Sequence, residues 1–127
     1  MSAPPMPAAR LACLLADAAA GITADTAATG LIIRHDHFLH QRGFRRLIAA
    51  GSSICPGEPV AVIRWRAAIH ALDAGLLPCT RSEQAVLRIA ASLGGDDIPV
   101  CLRSVLGGLN SRTIALVTDA ITTANRS

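Results

Sequence analysis

The scarcity of aromatic side chains constrains this chain more than any other feature. Phe38, Phe44 and Trp65 are its three rings, there is no tyrosine, and yet 51% of the 127 residues are hydrophobic. A core with so few rings has to be built from Ala, Leu, Ile and Val, and alanine's high helix propensity makes close helix packing the natural solution. The expectation is therefore a mostly α fold: a single compact domain of five or six short helices over residues 8–127, preceded by a flexible tail over 1–7. Three prolines in Ala3-Pro4-Pro5-Met6-Pro7 deny that tail helix or sheet hydrogen bonds.

Helix punctuation divides the rest. A first helix is expected from Ala8 to Ala20, stopped by Gly21, and a second from Thr23 or Asp25 through Leu31, Ile32 and Ile33, with Gly30 as a point of weakness. Asp36 reads as the cap of a further helix through Phe38, Leu39, Phe44, Leu47 and Ile48 to Gly51, and residues 51–59 as a loop. Val60, Val62 and Ile63 suit a short strand, whereas Val62, Trp65, Ile69, Leu72 and Leu76 share one helix face. A helix from Arg64 to Ala74, closed by Gly75, is favoured, with residues 60–63 open between strand and first turn. The last third reads as a trihelical unit. Thr80 and Glu83 form a capping box before Val86, Leu87, Ile89, Ala90 and Leu93; Gly94-Gly95 stops that helix; Pro99 opens a short one, Val100 to Leu106; and Asn110 or Ser111 caps the last.

Leu77-Pro78-Cys79-Thr80 with Glu83, the run Leu87 to Leu93, Pro99-Val100, Leu102-Arg103 and Gly108-Leu109-Asn110 resemble a pattern found in short helical proteins of high-GC bacteria. His35-Asp36 and Ala71 to Gly75 extend the likeness loosely over residues 31–125. The resemblance implies a self-standing bacterial domain. It carries no activity and no catalytic residue.

All twelve basic residues are arginine, which GC-rich codon usage explains more simply than selection for anion binding. Arg10 followed by the apolar Leu11 to Ala20 has ingredients of an export signal, but about 20 apolar residues are needed to cross a bilayer, Asp17 interrupts the run, and it reads better as an amphipathic helix. No membrane contact is expected, and the location expected is cytoplasmic. Cys13, Cys55, Cys79 and Cys101 form no Cys-x-x-Cys pair, so each is expected to be a small buried hydrophobe in a reducing compartment.

Three constellations carry candidate chemistry. His35, His37 and His40, with Asp36 between them, supply ligand types that suit zinc, nickel or iron; the competing reading makes Asp36 a helix cap and the imidazoles separate surface groups. Arg42, Arg45 and Arg46 surround Phe44 within a segment, residues 31–66, of net charge +4, against −1 for the remainder. One ring among guanidinium groups is the single-strand nucleic-acid scheme in miniature; the competing reading puts Phe44 in the core and the arginines in solvent. Residues 100–119 fit a helix-turn-helix with Gly108 in the turn and Ile114 and Val117 packed beyond it. Arg103 and Gly107 break that pattern, and Asn110, Ser111, Arg112, Ala115 and Asp119 are a poor set for base edges.

No nucleophile is placed beside a base by the sequence, and no Gly-rich phosphate loop follows a strand, so no cofactor is expected. The apolar content exceeds what a small domain readily buries. The reading is thus a non-catalytic helical interaction or regulatory module with a protein partner or a homodimer. A helix-turn-helix DNA-binding regulator and a histidine-ligated metal enzyme are the alternatives.

Overall fold

The computed structural model describes residues 7–21, 23–52, 59–95 and 97–126. Its elements are α1 (Ala8–Ala19), α2 (Thr23–His35), a 3-10 turn (Phe38–His40), α3 (Arg42–Arg45), β1 (Ile48–Ser52), β2 (Pro59–Ile63), α4 (Trp65–Asp73), α5 (Arg81–Gly94), α6 (Leu102–Leu106) and α7 (Ser111–Asn125). The expected mostly helical character holds: five helices run for nine to fifteen residues, and α3 and α6 are single short turns. Residues 1–6 of the expected tail lie outside the described residues.

Helix ends follow the punctuation. Gly21 (φ 92°) and Gly75 (φ 76°) occupy the left-handed region just past α1 and α4, which L side chains adopt only with strain. At α5 the box is complete: the Glu83 N–H donates to Thr80 Oγ1 at 3.2 Å and the Thr80 N–H to Glu83 Oε1 at 2.7 Å. Asn110 Oδ1 accepts from the Thr113 N–H at 2.8 Å and caps α7. α2 continues unbroken through Gly30.

The largest departure lies between residues 36 and 52. Asp36 does not cap a helix; with φ 57° it sits in the left-handed region and ends α2 instead. The chain then folds through the 3-10 turn and α3 so that Phe38, Leu39 and Phe44 all reach the core, Phe38 and Phe44 with ring centroids 5.1 Å apart. Ile48–Ser52, where a helix as far as Gly51 and then a loop are expected, forms β1 and pairs antiparallel with β2, Ile48 opposite Ile63 and Ala50 opposite Ala61. Pairing across an intervening segment is not a local property, which is why periodicity missed it. Residues 53–58 of the expected loop lie outside the described residues, whereas Gly51, Ser52 and Pro59 belong to the strands. The short strand weighed at 60–63 is real, and Val62, assigned to a helix face, is exposed on it. Gly75 likewise turns Leu76 into solvent and Leu77 into the core. The short helix expected from Val100 begins at Leu102.

α2 is the spine, packed against α1, α5 and α7. Its inward residues Ala27, Ala28, Thr29, Leu31 and Ile32 are buried, and the cluster that the four apolar ones join takes side chains from every helix and from β2. A close approach of helices occurs at Gly94, the last residue of α5. A Cβ there would lie 2.5 Å from Trp65 Nε1, 2.6 Å from its Cε2 and 2.8 Å from the Ala28 Cβ, distances that carbon atoms do not occupy without displacement. At Gly30, in contrast, a Cβ meets nothing within 4 Å.

These two glycines make opposite predictions. Gly30→Ala should stabilise the fold by up to about 1 kcal/mol through helix propensity, whereas Gly94→Ala should cost about 1–3 kcal/mol through overpacking. Urea unfolding followed by the Trp65 emission checks both. Equal effects of the two substitutions would contradict the close approach of α2, α4 and α5.

Candidate functional site

The three candidate histidines fall where α2 ends and the chain turns back towards the start of α5. His35 is the last residue of α2, half-buried, and its Nδ1 is enclosed without a hydrogen-bond partner among the described residues. His37 Nδ1 lies 3.0 Å from Glu83 Oε2. The Gln41 amide nitrogen stands 3.0 Å from His37 Nε2 and 2.7 Å from the Pro78 carbonyl oxygen. Because that NH2 group can only donate, His37 Nε2 must accept, and the ring proton then sits on Nδ1 and is donated to Glu83. Glu83 thus serves two elements: Oε1 caps α5 and Oε2 orients the imidazole. The arrangement leaves Gln41 Oε1 enclosed and unpaired. His40, exposed, bonds separately to Asp36, Nε2 to Oδ1 at 2.8 Å.

This geometry does not bring the histidines to one point. Both ring nitrogens of His37 and the Nε2 of His40 are engaged elsewhere, and among the described residues no three His, Cys, Asp or Glu side chains are placed to hold a metal ion. A hydrolytic couple is no better served. Cys79, near Glu83, has its thiol pKa raised by burial and then by the Glu83 charge, opposite to what a thiolate nucleophile needs, and its Sγ–H donates to the Leu77 carbonyl. Cys13 and Cys101 are exposed and Cys79 half-buried, so the expectation of buried cysteines fails at all three; Cys13 lies on the outward side of α1, opposite Leu11 and Leu15. Cys55 lies outside the described residues.

The arginine constellation resolves in favour of the core. Phe44 is fully buried against Phe38 and offers no face to a base, while Arg42 and Arg46 are exposed, one turn apart, and Arg45 is half-buried. Arg34, counted in the same basic segment, is committed to Asp119 of α7 at 3.1 Å.

The trihelical unit leaves apolar side chains uncovered, a row on α7 and a pair on α6. Val105, Val117 and Ala120 are buried, but Leu102 (49%), Leu106 (40%), Ile114 (39%) and Ile121 (48%) retain a large exposed share. Ile114 was expected to pack beneath the turn and does not, and Arg103 and Gly107 are exposed as their residue types require. Beside the two isoleucines, the Thr118 and Thr122 hydroxyls donate back to the Ile114 and Thr118 carbonyls at 2.8 and 3.0 Å. Their polar atoms are thereby satisfied within α7 and the row carries no charge.

Sequence reasoning missed Glu83 and Gln41 as partners of His37. A capping box is legible locally, but a second use of its carboxylate depends on where a distant turn docks. No protein-family model, no curated protein and no solved structure matches this chain. No helix among the described residues is long and apolar enough to cross a membrane.

Burial, and next the neighbouring His37, lower the His35 pKa below its ordinary 6.5; Glu83 and Asp36 oppose them and Arg112 adds to them. A base with a lowered folded pKa binds protons more readily when unfolded, so its contribution is complete above pH 6.5 and is lost as pH falls below that value. Wild-type protein should therefore lose more stability between about pH 7.5 and 5.5 than His35→Leu, in which this group no longer titrates. Denaturant midpoints at the two pH values, with equal losses in both proteins as the contrary outcome, decide it.

Proposed function

We propose that this chain is a small non-catalytic interaction module, acting in the reducing cytoplasm of a bacterium, whose docking face is α6–α7 and whose first partner is a second copy of itself. The observation that carries this is the exposure of four uncharged side chains, Ile114 and Ile121 in a row on α7 and Leu102 and Leu106 on α6, each about 40–50% exposed on a chain of 127 residues. Apolar side chains of this size gain roughly 25 cal/mol for each Å² withdrawn from water. A two-fold arrangement lets one row cover its own copy, the commonest way a small protein hides such a surface. Free Cys13, Cys79 and Cys101 fit a reducing compartment, and regulation would act through occupancy of the face.

Contact with nucleic acid is the second reading, and it has less behind it. α7, which would be the reading helix, carries Arg112 as its one basic residue and Asp119 already paired with Arg34, a weak footprint for phosphate. Arg42 and Arg46 remain as the candidates for a polyanion. A metal-dependent enzyme has the least support, given the separate pairing of His37 and His40.

Light scattering at about 100 μM, far above the Kd expected of a micromolar interface, should give about twice the 13.1 kDa chain mass. Ile121→Asp should return it to the single-chain mass, with a change in folding stability within about 0.5 kcal/mol because the position is exposed. A wild-type protein that stays monomeric and captures no partner sinks the reading. If that monomer also retards a labelled oligonucleotide at low salt, and loses the effect on neutralising Arg42 and Arg46, the nucleic-acid reading replaces it.

A further inference from the structure

Two buried polar residues occur among the described part of the chain, Thr29 and Thr113. They behave differently. The Thr113 hydroxyl donates to Asn110 Oδ1 at 2.7 Å, and the helical threonines Thr118 and Thr122 donate to carbonyls one turn back. Thr29, 7% exposed in the middle of α2, makes no hydrogen bond to any described residue, and it is the helical threonine for which an unmade bond costs most. Trp65 is 9% exposed and its indole N–H is likewise unpartnered. The fully enclosed orphan atoms are His35 Nδ1 and Gln41 Oε1, so the Thr29 hydroxyl and the Trp65 nitrogen both keep access to open space.

Thr29 and Trp65 both line a half-enclosed cleft of about 130 Å³ between α1, α2, β2 and α4. Its third polar group is the Asp25 carboxylate, one helical turn before Thr29 on the same face of α2 and without an ion pair or hydrogen bond to a described residue. The remaining wall is apolar, and it is roomy because Ala18 and Ala61 stand where larger side chains would fill it. Beyond Asp25 and Trp65 the cleft continues past Gly94 into a more open depression that Arg64 and Arg66 also line. Gly94 therefore has a second role besides allowing the helices to close: a side chain there would collide with the indole nitrogen.

We propose that this cleft is a binding site for a small aliphatic amine that also carries a hydrogen-bond acceptor. The donor and acceptor inventory selects that class. Asp25 can only accept, and a half-buried carboxylate that makes no ion pair favours an ammonium group; the indole N–H can only donate, and the Thr29 hydroxyl completes the acceptor's coordination. The volume limits the apolar body, since a protein cavity of about 150 Å³ accommodates benzene. A branched aliphatic chain of similar bulk fits between α1 and β2. The site shares no residue with the exposed apolar side chains on α6 and α7, so it stands or falls independently of the docking proposal.

Trp65 is the chain's one tryptophan and reports on the site directly. The probe is valinol, which has an ammonium group, a hydroxyl and an isopropyl body; isobutylamine lacks the acceptor and 3-methylbutanol lacks the ammonium. Titrated into the intact chain, valinol should change the Trp65 emission saturably in the millimolar range usual for ligands of this size. Isobutylamine should bind about tenfold more weakly and Thr29→Val should weaken valinol by a similar factor, while 3-methylbutanol and Asp25→Asn should give no saturable change. Ala18→Leu, which fills the cleft from its α1 wall, should also abolish the response with the far-ultraviolet circular dichroism unchanged, and it serves where Asp25→Asn fails to fold. Absence of a saturable response to valinol in folded wild-type protein overturns the proposal. So does equal binding of 3-methylbutanol, or undiminished binding by folded Ala18→Leu.

Discussion

The close approach of α2 to α5 is the contact on which the other packing depends. It is possible because small residues meet there: Ala28 is wholly buried, Gly94 has no side chain, and the Trp65 indole is lodged beside them with no room for a single added carbon. A core with three rings and many small aliphatic side chains gains its density from backbone proximity rather than from large side chains. With α2 held against α5, its other faces are free to take α1 and α7, and Ala27, Leu31 and Ile32 are buried by that sandwich. The hairpin and α4 then close the open side, bringing Trp65 and Ala61 against the same helices.

Where α2 ends, the structure changes from apolar packing to a polar junction. The left-handed Asp36 stops the helix, and the turn that follows must satisfy its own polar atoms before Phe38 and Phe44 can be buried beneath it. Glu83 does much of this by combining a helix cap with a hydrogen bond from His37, and Gln41 ties the same imidazole to the Pro78 carbonyl. The junction is incompletely satisfied, as His35 Nδ1 and Gln41 Oε1 show, and burial there lowers the His35 pKa. Its side chains are those that a sequence reading groups into a metal site, and here they act as a structural lock between α2 and α5.

The two surfaces that carry proposals have a common origin. A chain rich in alanine and short of aromatics packs its spine tightly, but at the periphery it lacks side chains large enough to finish the job. The consequence is partly exposed Ile side chains on α7 and partly exposed Leu side chains on the short α6. Between α1 and β2 it is a cleft, because Ala18 and Ala61 stop short of each other and leave Thr29 and Trp65 with unmade hydrogen bonds. One surface is apolar throughout and the other has a defined set of donors and acceptors.

Local chemistry is legible in the chain alone. Gly21 and Gly75 end helices because left-handed backbone suits glycine, Thr80 with Glu83 and Asn110 with Thr113 start them because short polar side chains can accept the first free N–H groups, and alanine-rich periodic stretches between them are helical. What depends on distant partners is not legible in the same way. Ile48–Ser52 is a strand because Pro59–Ile63 lies beside it, Asp36 is a stop rather than a start because the two phenylalanines must turn inward, and Glu83 meets His37 because the turn docks on α5. The Asp25, Thr29 and Trp65 cleft belongs to the same class: each residue has an ordinary local explanation, and their convergence arises from how four elements pack, since contact energies between residues far apart in sequence leave no periodicity to read.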